Sequence, residues 1–299
     1  MSEEQPQENK KNWYEKSYKL LLILPAALLL FSVVYLFQFN AQHGDIVYKD
    51  VSLTGGTTIT VFDENVNTND LKSSLIEQFP DLIIRGISDI RTRKQQAFFL
   101  ETTADIDEIK PALENYLGYK LNEENSSIEF SGSTLSQGFY QQLRIAIIIA
   151  FIFMALVVFF IFKTPIPSLA VIISAFADIV MTIVAIDILG ISLSIGGIVA
   201  FLMLIGYSVD TDILLTTRIL RRREGSLNER MIGAFKTGIT MTLTSIAAVT
   251  IALVVIYSFS ETLRQIFTIL LIGLGFDIFN TWITNASILR WYAEAKNIE

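Results

Sequence analysis

Gly206-Tyr207-Ser208-Val209-Asp210-Thr211-Asp212 places two aspartates two residues apart inside an otherwise apolar stretch. Residues Ile191 to Ile205 before it are almost wholly apolar or small. Ile213 to Thr217 after it lead into Arg218, Arg221, Arg222 and Arg223. With Arg218 at a membrane surface, Asp210 lies eight residues deeper, roughly 12 Å at ~1.5 Å rise per residue and near the middle of a ~30 Å hydrocarbon slab. An acid at that depth costs on the order of 3 kcal/mol on insertion scales, and it marks an ion pathway or a functional contact. The stretch therefore reads as part of a membrane protein that uses a proton or cation inside the bilayer.

The rest of the chain agrees. Of its 299 residues 52% are apolar and the mean hydropathy is +0.48, which is membrane composition. Six stretches are long enough to span, at about Leu20–Phe39, Leu143–Phe162, Ser168–Leu189, Leu193–Thr217, Ile239–Phe259 and Ile266–Leu289. The first has too long an apolar core for a cleaved signal peptide, with no clear A-x-A site before His43, and reads as a permanent anchor. Trp13, Tyr14 and Tyr18 precede it and suit an interfacial aromatic belt. Cysteine is absent and His43 is the only histidine, so disulfides and thiolate metal sites are excluded and no metal is expected. The net charge of −7 argues against nucleic acid as a partner.

Basic residues set the expected topology. Lys10, Lys11, Lys16 and Lys19, the loop Lys163–Pro167, the stretch 218–236 and the tail after Leu289 read as cytoplasmic. The stretch 218–236 carries six basic residues against two acidic ones. The expected fold is a six-transmembrane-helix bundle with both termini cytoplasmic and an extracytoplasmic domain between helices 1 and 2. Its parts are a cytoplasmic tail (1–19), transmembrane helix 1 (20–40), the domain (41–137) and helices 2–6 with the cytoplasmic loop 218–236 (138–299).

Within the domain, Thr57–Phe62 is β-rich and Thr68–Phe79 has helical periodicity, with Leu71, Leu75, Ile76 and Phe79 on one stripe. Leu82–Ile90 and Ala97–Thr102 read as strands around the turn Arg91–Gln96. Ile106–Leu117 is a second helix with Asp105 as N-cap and Gly118 as stop, and Ser127–Phe130 a last strand. The order βαββαβ is the α+β, ferredoxin-like plan. No catalytic set is visible there. Asp105, Asp107, Glu108, Glu123 and Glu124 read as solvated surface.

Asp178 lies near the centre of the third span and Asp277 in the sixth, with Asn280 and Asn285 beyond it. With Asp210 and Asp212 they make four deep acids in three helices, and no lysine or arginine lies as deep. They cannot all carry charge there together, so a proton gradient can address them. Asp187, near an outer helix end, is expected to reach water. Two residues on a helix are about 200° apart, so one of Asp210 and Asp212 faces a polar cleft and the other a different helix, subunit or hydrogen-bond partner. Glycines, serines and threonines of the last three spans read mainly as close packing, with the threonines also placed to line a hydrated path. Ser226-Leu227-Asn228-Glu229 is a capping box, expected to open a short helix at the cytoplasmic surface.

Gly206-Tyr207-Ser208-Val209-Asp210 with Arg218 at the helix end resembles the fourth-span motif of the SecF family, the protein-export subunit of SecDF in the resistance-nodulation-division (RND) superfamily. Leu53-Thr54-Gly55-Gly56-Thr57 is similar to the F-T-G-G-T stretch that opens the family's extracytoplasmic domain, and Asp178 stands where the family has an H-D pair. The resemblance covers roughly residues 13–292. Three features depart from the bacterial pattern. The acid of G-Y-S-[LI]-N-D aligns with Thr211, while Asp210 takes the place SecD gives its own aspartate. The fifth-span arginine, near Thr240, is missing. Asp277 is an addition. Together they point to an archaeal-type member. The resemblance implies a plasma-membrane accessory subunit of Sec-dependent translocation, not an enzyme and without cofactor. It would pair with SecD near the SecY channel, handle the translocating polypeptide, and respond to the proton motive force through Asp210, Asp212, Asp178 and Asp277.

Two other classes compete with this reading. Gly273-Leu274-Gly275-Phe276-Asp277 is similar to the G-x-G-D motif of intramembrane aspartyl proteases, but it is one residue too long and lacks the partnering Tyr-Asp pair. Small-molecule or lipid exporters of the same superfamily usually fuse two six-span repeats, and this chain has one. The topology is testable directly. Of cysteines introduced at Asn67 and Ser226, only the one at Asn67 should react with an impermeant thiol reagent in intact cells; the reverse labelling would overturn the orientation.

Overall fold

The computed structural model describes residues 13–88, 92, 94–221, 225–257 and 261–298. Arg222, Arg223 and parts of the expected turn at 91–96 and of the fifth-span end at Phe259 lie outside the described residues. The chain opens with α1 (Trp13–Leu21) and α2 (Ile23–His43). A short α3 (Val51–Thr54) leads into β1 (Gly56–Val61), α4 (Thr68–Leu75), β2 (Ile83–Ser88), β3 (Gln95–Thr102), α5 (Ile106–Leu117) and β4 (Ser126–Ser131). The remainder is helical: α6 (Ser133–Phe162), α7 (Pro165–Ile188), α8 (Ile195–Arg221), α9 (Leu227–Ile256), α10 (Glu261–Phe279), a π-helical turn (Asn280–Asn285) and α11 (Ala286–Ala295).

Six helical stretches among the described residues are long and apolar enough to cross a membrane: Ser17–His43, Leu135–Phe162, Pro165–Ile188, Ile195–Arg221, Leu227–Ile256 and Thr262–Ala295. They coincide with the six sequence stretches but run longer, because helix propagation continues past the apolar core wherever the backbone stays hydrogen-bonded. Two expectations change as a result. The last strand ends at Ser131 and α6 begins at Ser133, so this helix starts well before Leu143. The capping box at Ser226 and Glu229 is present, but it opens the 30-residue α9 and not a separate surface helix. No proline or helix-ending glycine conformation interrupts the run from Leu227 to Ile256.

The four strands form one antiparallel sheet in the order β2-β3-β1-β4. Alternation along the strands sends Ile59, Val61, Phe98 and Leu100 to one face, where they pack on Leu71 and Leu75 of α4 and Ile109 and Leu113 of α5. Burying each such side chain contributes about 1.5–3 kcal/mol. The opposite face carries a smaller cluster, Ile87, Ala97 and Phe99, and turns toward the bundle. Asp105 and Gly118 cap α5 as expected, the Asp105 carboxylate accepting from the Asp107 N–H and Gly118 taking φ 77°.

The sheet is tied to the bundle through backbone. Asp50 N–H donates to the Leu193 carbonyl at 2.9 Å, and Leu193 N–H to the Tyr48 carbonyl at 2.6 Å. Arg85 donates to the Gly190 carbonyl at 3.3 Å. In the bundle α7, α8 and α10 are central, with Phe201 and Leu204 of α8 packed on Ile269 and Leu270 of α10. The flanks of α2, α6 and α9 expose large apolar residues such as Phe37 (74%), Phe160 (70%) and Ile251 (66%). Surface of that kind faces lipid or another apolar protein surface.

Gly55 and Gly56 sit where the sheet meets α6. Gly55 has φ 88°, and a Cβ there would lie 2.2 Å from Ser133 Cα. Gly56 has φ 137°, and its Cβ would lie 2.2 Å from the Thr102 carbonyl oxygen. Both positions need a left-handed backbone and a missing side chain at once. Gly55→Ala and Gly56→Ala should each destabilise by about 1–3 kcal/mol from backbone strain alone, with the steric overlap added. A thermal melt of the purified variant matching the parent would refute this account of the Gly-Gly pair.

Candidate functional site

Three of the four deep acids meet inside the bundle. Asp178 of α7 and Asp212 of α8 are 0% exposed and Asp277 of α10 is 1% exposed. Their helices bring them there by ordinary periodicity: Ser208, Thr211 and Asp212 lie on the inward face of α8, and Ser174 and Asp178 one turn apart on that of α7. The Asp178 carboxylate accepts from Ser208 Oγ at 2.5 Å and from Asn280 Nδ2 at 2.7 Å. Asp277 is ringed by hydroxyls, Thr211 at 3.2 and 3.3 Å, Thr281 at 3.2 Å and Thr242 at 3.5 Å. Asp212 Oδ1 accepts from Asn285 Nδ2 at 2.7 Å.

The π-helical turn supplies a partner to each acid. Asn280, Thr281, Thr284 and Asn285 are all buried. On a regular α-helix Asn280 and Asn285 would point about 140° apart. The extra residue in a π turn re-aims them, and such turns recur at functional sites. Asn280 thereby reaches Asp178, Thr281 reaches Asp277, and Asn285 reaches Asp212.

The structure separates Asp210 from this cluster. It is exposed on the outer face of α8, in a stripe with Val199, Met203, Gly206 and Tyr207. A Cβ on Gly206 would touch nothing within 4 Å. The Gly206-Tyr207-Ser208 motif thus splits: Ser208 holds Asp178, while Gly206 and Tyr207 look outward. Of the pair that the sequence leaves open, Asp212 faces the cleft and Asp210 faces outward. Asp187 is also re-placed. It is 4% exposed, with both carboxylate oxygens buried, and does not reach water. The threonines of α9 do not form a path of free hydroxyls. Thr237, Thr240 and Thr244 each donate to the carbonyl four residues earlier, which satisfies them within their own helix, and Thr242 shares its hydroxyl between the Gly238 carbonyl and Asp277. Arg218 donates to Thr237 at 2.9 Å and Arg221 to the Ile161 carbonyl at 2.5 Å, so both tie helix ends together.

Ser174 and Thr281 escaped the sequence reading. The available signal was spacing: each hydroxyl lies four residues from Asp178 or Asp277 on the same helix face.

A family model described as "Protein export membrane protein SecD/SecF, C-terminal" matches residues 112–295. "Protein-export membrane protein SecF" of Methanocaldococcus jannaschii is 39% identical over 286 residues, covering 93% of this chain and 96% of the relative. The chain belongs to the SecF family. The SecF of Methanothermobacter thermautotrophicus is also 39% identical, covering 94% of this chain and 95% of its own, and that of Haloferax volcanii is 34% identical, covering 91% of each. A crystal structure of SecDF, a translocon-associated membrane protein from Thermus thermophilus, superposes with TM-score 0.75 at 18% identity over 95% of this chain. The super-membrane-facing form of SecDF superposes with TM-score 0.60 at 20% identity over 99% of this chain. This chain spans about two fifths of each SecDF chain, 39% and 40%. As a SecF-family protein it is a multi-pass membrane protein with a role in protein export.

This SecF-family chain carries a second group of carboxyls, a pair between sheet and bundle. Asp50 caps α3, accepting from the Ser52 N–H at 2.8 Å, and its carboxyl neighbours that of Glu101 on β3. Both line a cavity of about 360 Å³ between the open sheet face and Ser194, Tyr257 and Thr262 of the bundle. Burial pushes Glu101 up to about 7, the neighbouring Asp50 charge adds to this, and the Arg85 guanidinium offsets part of it. Burial raises Asp50 also. A folded value raised from 4.5 to about 7 means that the protonated pair favours the native contact. Its contribution is full below 4.5 and is lost as pH rises through about 7. The thermal midpoint should therefore fall across that window, and Glu101→Gln should flatten the fall. An unchanged pH profile in Glu101→Gln would assign the dependence elsewhere.

Proposed function

We propose that this chain works with a SecD partner beside the SecY channel, and that protonation of Asp212, Asp178 and Asp277 couples the proton motive force to export. The observation that carries the coupling is the enclosure of these three carboxyls, with no lysine or arginine among their hydrogen-bond partners in the described residues. Fully charged, such a cluster costs several kcal/mol per ion. Adding or removing a proton changes which hydrogen bonds to the π-helical turn are available, and so biases the packing of the last span against α7 and α8.

The SecD pairing is supported by Asp210. An acid near mid-membrane on an outer helix face is expensive against lipid and is expected to meet a polar partner. Gly206, Tyr207 and Asp210 form the surface we assign to that partner. The strand order β2-β3-β1-β4 with both helices on one face supports the ferredoxin-like reading of the domain (41–137). The positions of Arg218, Arg221, Arg230 and Lys236 at the bundle end away from the sheet support an extracytoplasmic domain with cytoplasmic termini. On that side the domain would meet the emerging polypeptide.

Affinity purification from native membranes should recover a SecD-like protein at near-equal amount. Asp212→Asn should keep expression and that recovery while abolishing the gradient-dependent part of export. Asp210→Leu should instead lower the recovery. Normal gradient-dependent export with Asp212→Asn would sink the coupling role and leave packing as the account of this residue.

A further inference from the structure

Asp212 is satisfied on one side only. Its Oδ1 accepts from Asn285 Nδ2 at 2.7 Å, but its Oδ2, fully buried, has no hydrogen-bond partner. Two further buried oxygens without a partner belong to the same neighbourhood. One is Ser174 Oγ, whose hydroxyl faces the Asp212 carboxyl from α7 without making a hydrogen bond of normal geometry. The other is Oδ1 of Asn285, whose amide nitrogen already holds Asp212. The Thr281 hydroxyl approaches the same carboxyl from the π-helical turn. Leaving a buried acceptor unmade costs about 1–3 kcal/mol, and orphan groups of this kind are met in native proteins where water or an ion completes the site.

The chemistry of the set is specific. All the open atoms are oxygens, which suit hard cations. One carboxylate with neutral hydroxyl and amide oxygens balances one positive charge. Among the described residues no three histidine, aspartate or glutamate side chains converge to hold a metal ion, which is the charge density a divalent ion would call for. The other two acids facing this place, Asp277 of α10 and Asp178 of α7, have their carboxylate oxygens engaged by hydroxyls or an amide. Asp212 Oδ2 is the open one.

We propose that Asp212, Ser174 and Asn285 form a site for a small monovalent metal cation, sodium, which competes with a proton for the Asp212 carboxylate. The proposal deepens the coupling reading by naming a second ion. It rests on that reading for the use of the site, but not for its occupancy.

The test is ion-dependent stability of the purified full chain in lipid nanodiscs, with sodium chloride replacing choline chloride at constant ionic strength. The thermal midpoint should rise with sodium as mass action requires, and should need more sodium at lower pH. Ser174→Ala should shift the sodium dependence by about tenfold or more. Asp212→Asn should abolish it. Should Asp212→Asn fold poorly, Ser174→Ala and retention of radiolabelled sodium by the parent chain decide the matter. Equal midpoints in sodium and choline at every pH, with no retained sodium, would mean a proton only and overturn the site. An unshifted sodium dependence in Ser174→Ala would overturn it as well. Sodium binding by the parent combined with normal gradient-dependent export in Asp212→Asn would leave the site standing and remove the coupling role instead.

Discussion

Burying three carboxyls in an apolar slab without a neutralising base is the constraint around which the bundle is arranged. Each carboxyl group needs donors, and in hydrocarbon only protein can supply them. Ser208 and Thr211 of α8, Thr242 of α9, and Asn280, Thr281 and Asn285 of the π-helical turn meet that need. Because the bonds cross between helices, they fix the rotation of α7, α8 and α10 about their own axes. Leu204 packed against Gly273, where a Cβ would lie 2.5 Å from the leucine, sets how close α8 and α10 come. The three helices carrying the acids are thus the tightly packed ones, and α2, α6 and α9 form the apolar periphery.

The π-helical turn is the least regular part of the bundle and touches each of the three buried acids. A regular helix offers one face, and the acids approach from two other helices and from the turn's own. Widening the helix by one residue lets Asn280 and Asn285 serve different partners. The same widening gives the last span a defined point at which packing can change. This is where the proposed proton coupling and the proposed sodium site would both act.

Toward the sheet end, contact is maintained by close backbone approach. Gly55 admits α6, Gly56 admits the end of β3, and Leu193 pairs with Tyr48 and Asp50. The Ser194 N–H and hydroxyl both donate to Gln265 Oε1, and Gln265 Nε2 donates to the Ser192 carbonyl, which knits the start of α8 to α10 beneath the sheet. Asp50 and Glu101 lie on this path. Sheet position and helix packing are therefore linked through a small number of identifiable bonds.

Local sequence determined much of this. Continuous apolar runs announce spans because a helix is the cheapest way to satisfy backbone in lipid, and all six runs became helices. The α5 caps, the capping box at Ser226 and the strand alternation were legible for the same reason: each depends on neighbours a few residues away. The depth of Asp178, Asp212 and Asp277 could be counted from the ends of their spans. Facing could not. Asp210 and Asp212 are chemically alike and two residues apart, and only the packing of α7 and α10 on α8 decided that Asp212 turns inward. The π-helical turn, the Asp50–Glu101 pair and the unmatched oxygens of Ser174 and Asn285 were equally out of reach, since each arises from residues that tertiary packing brings together from separate elements.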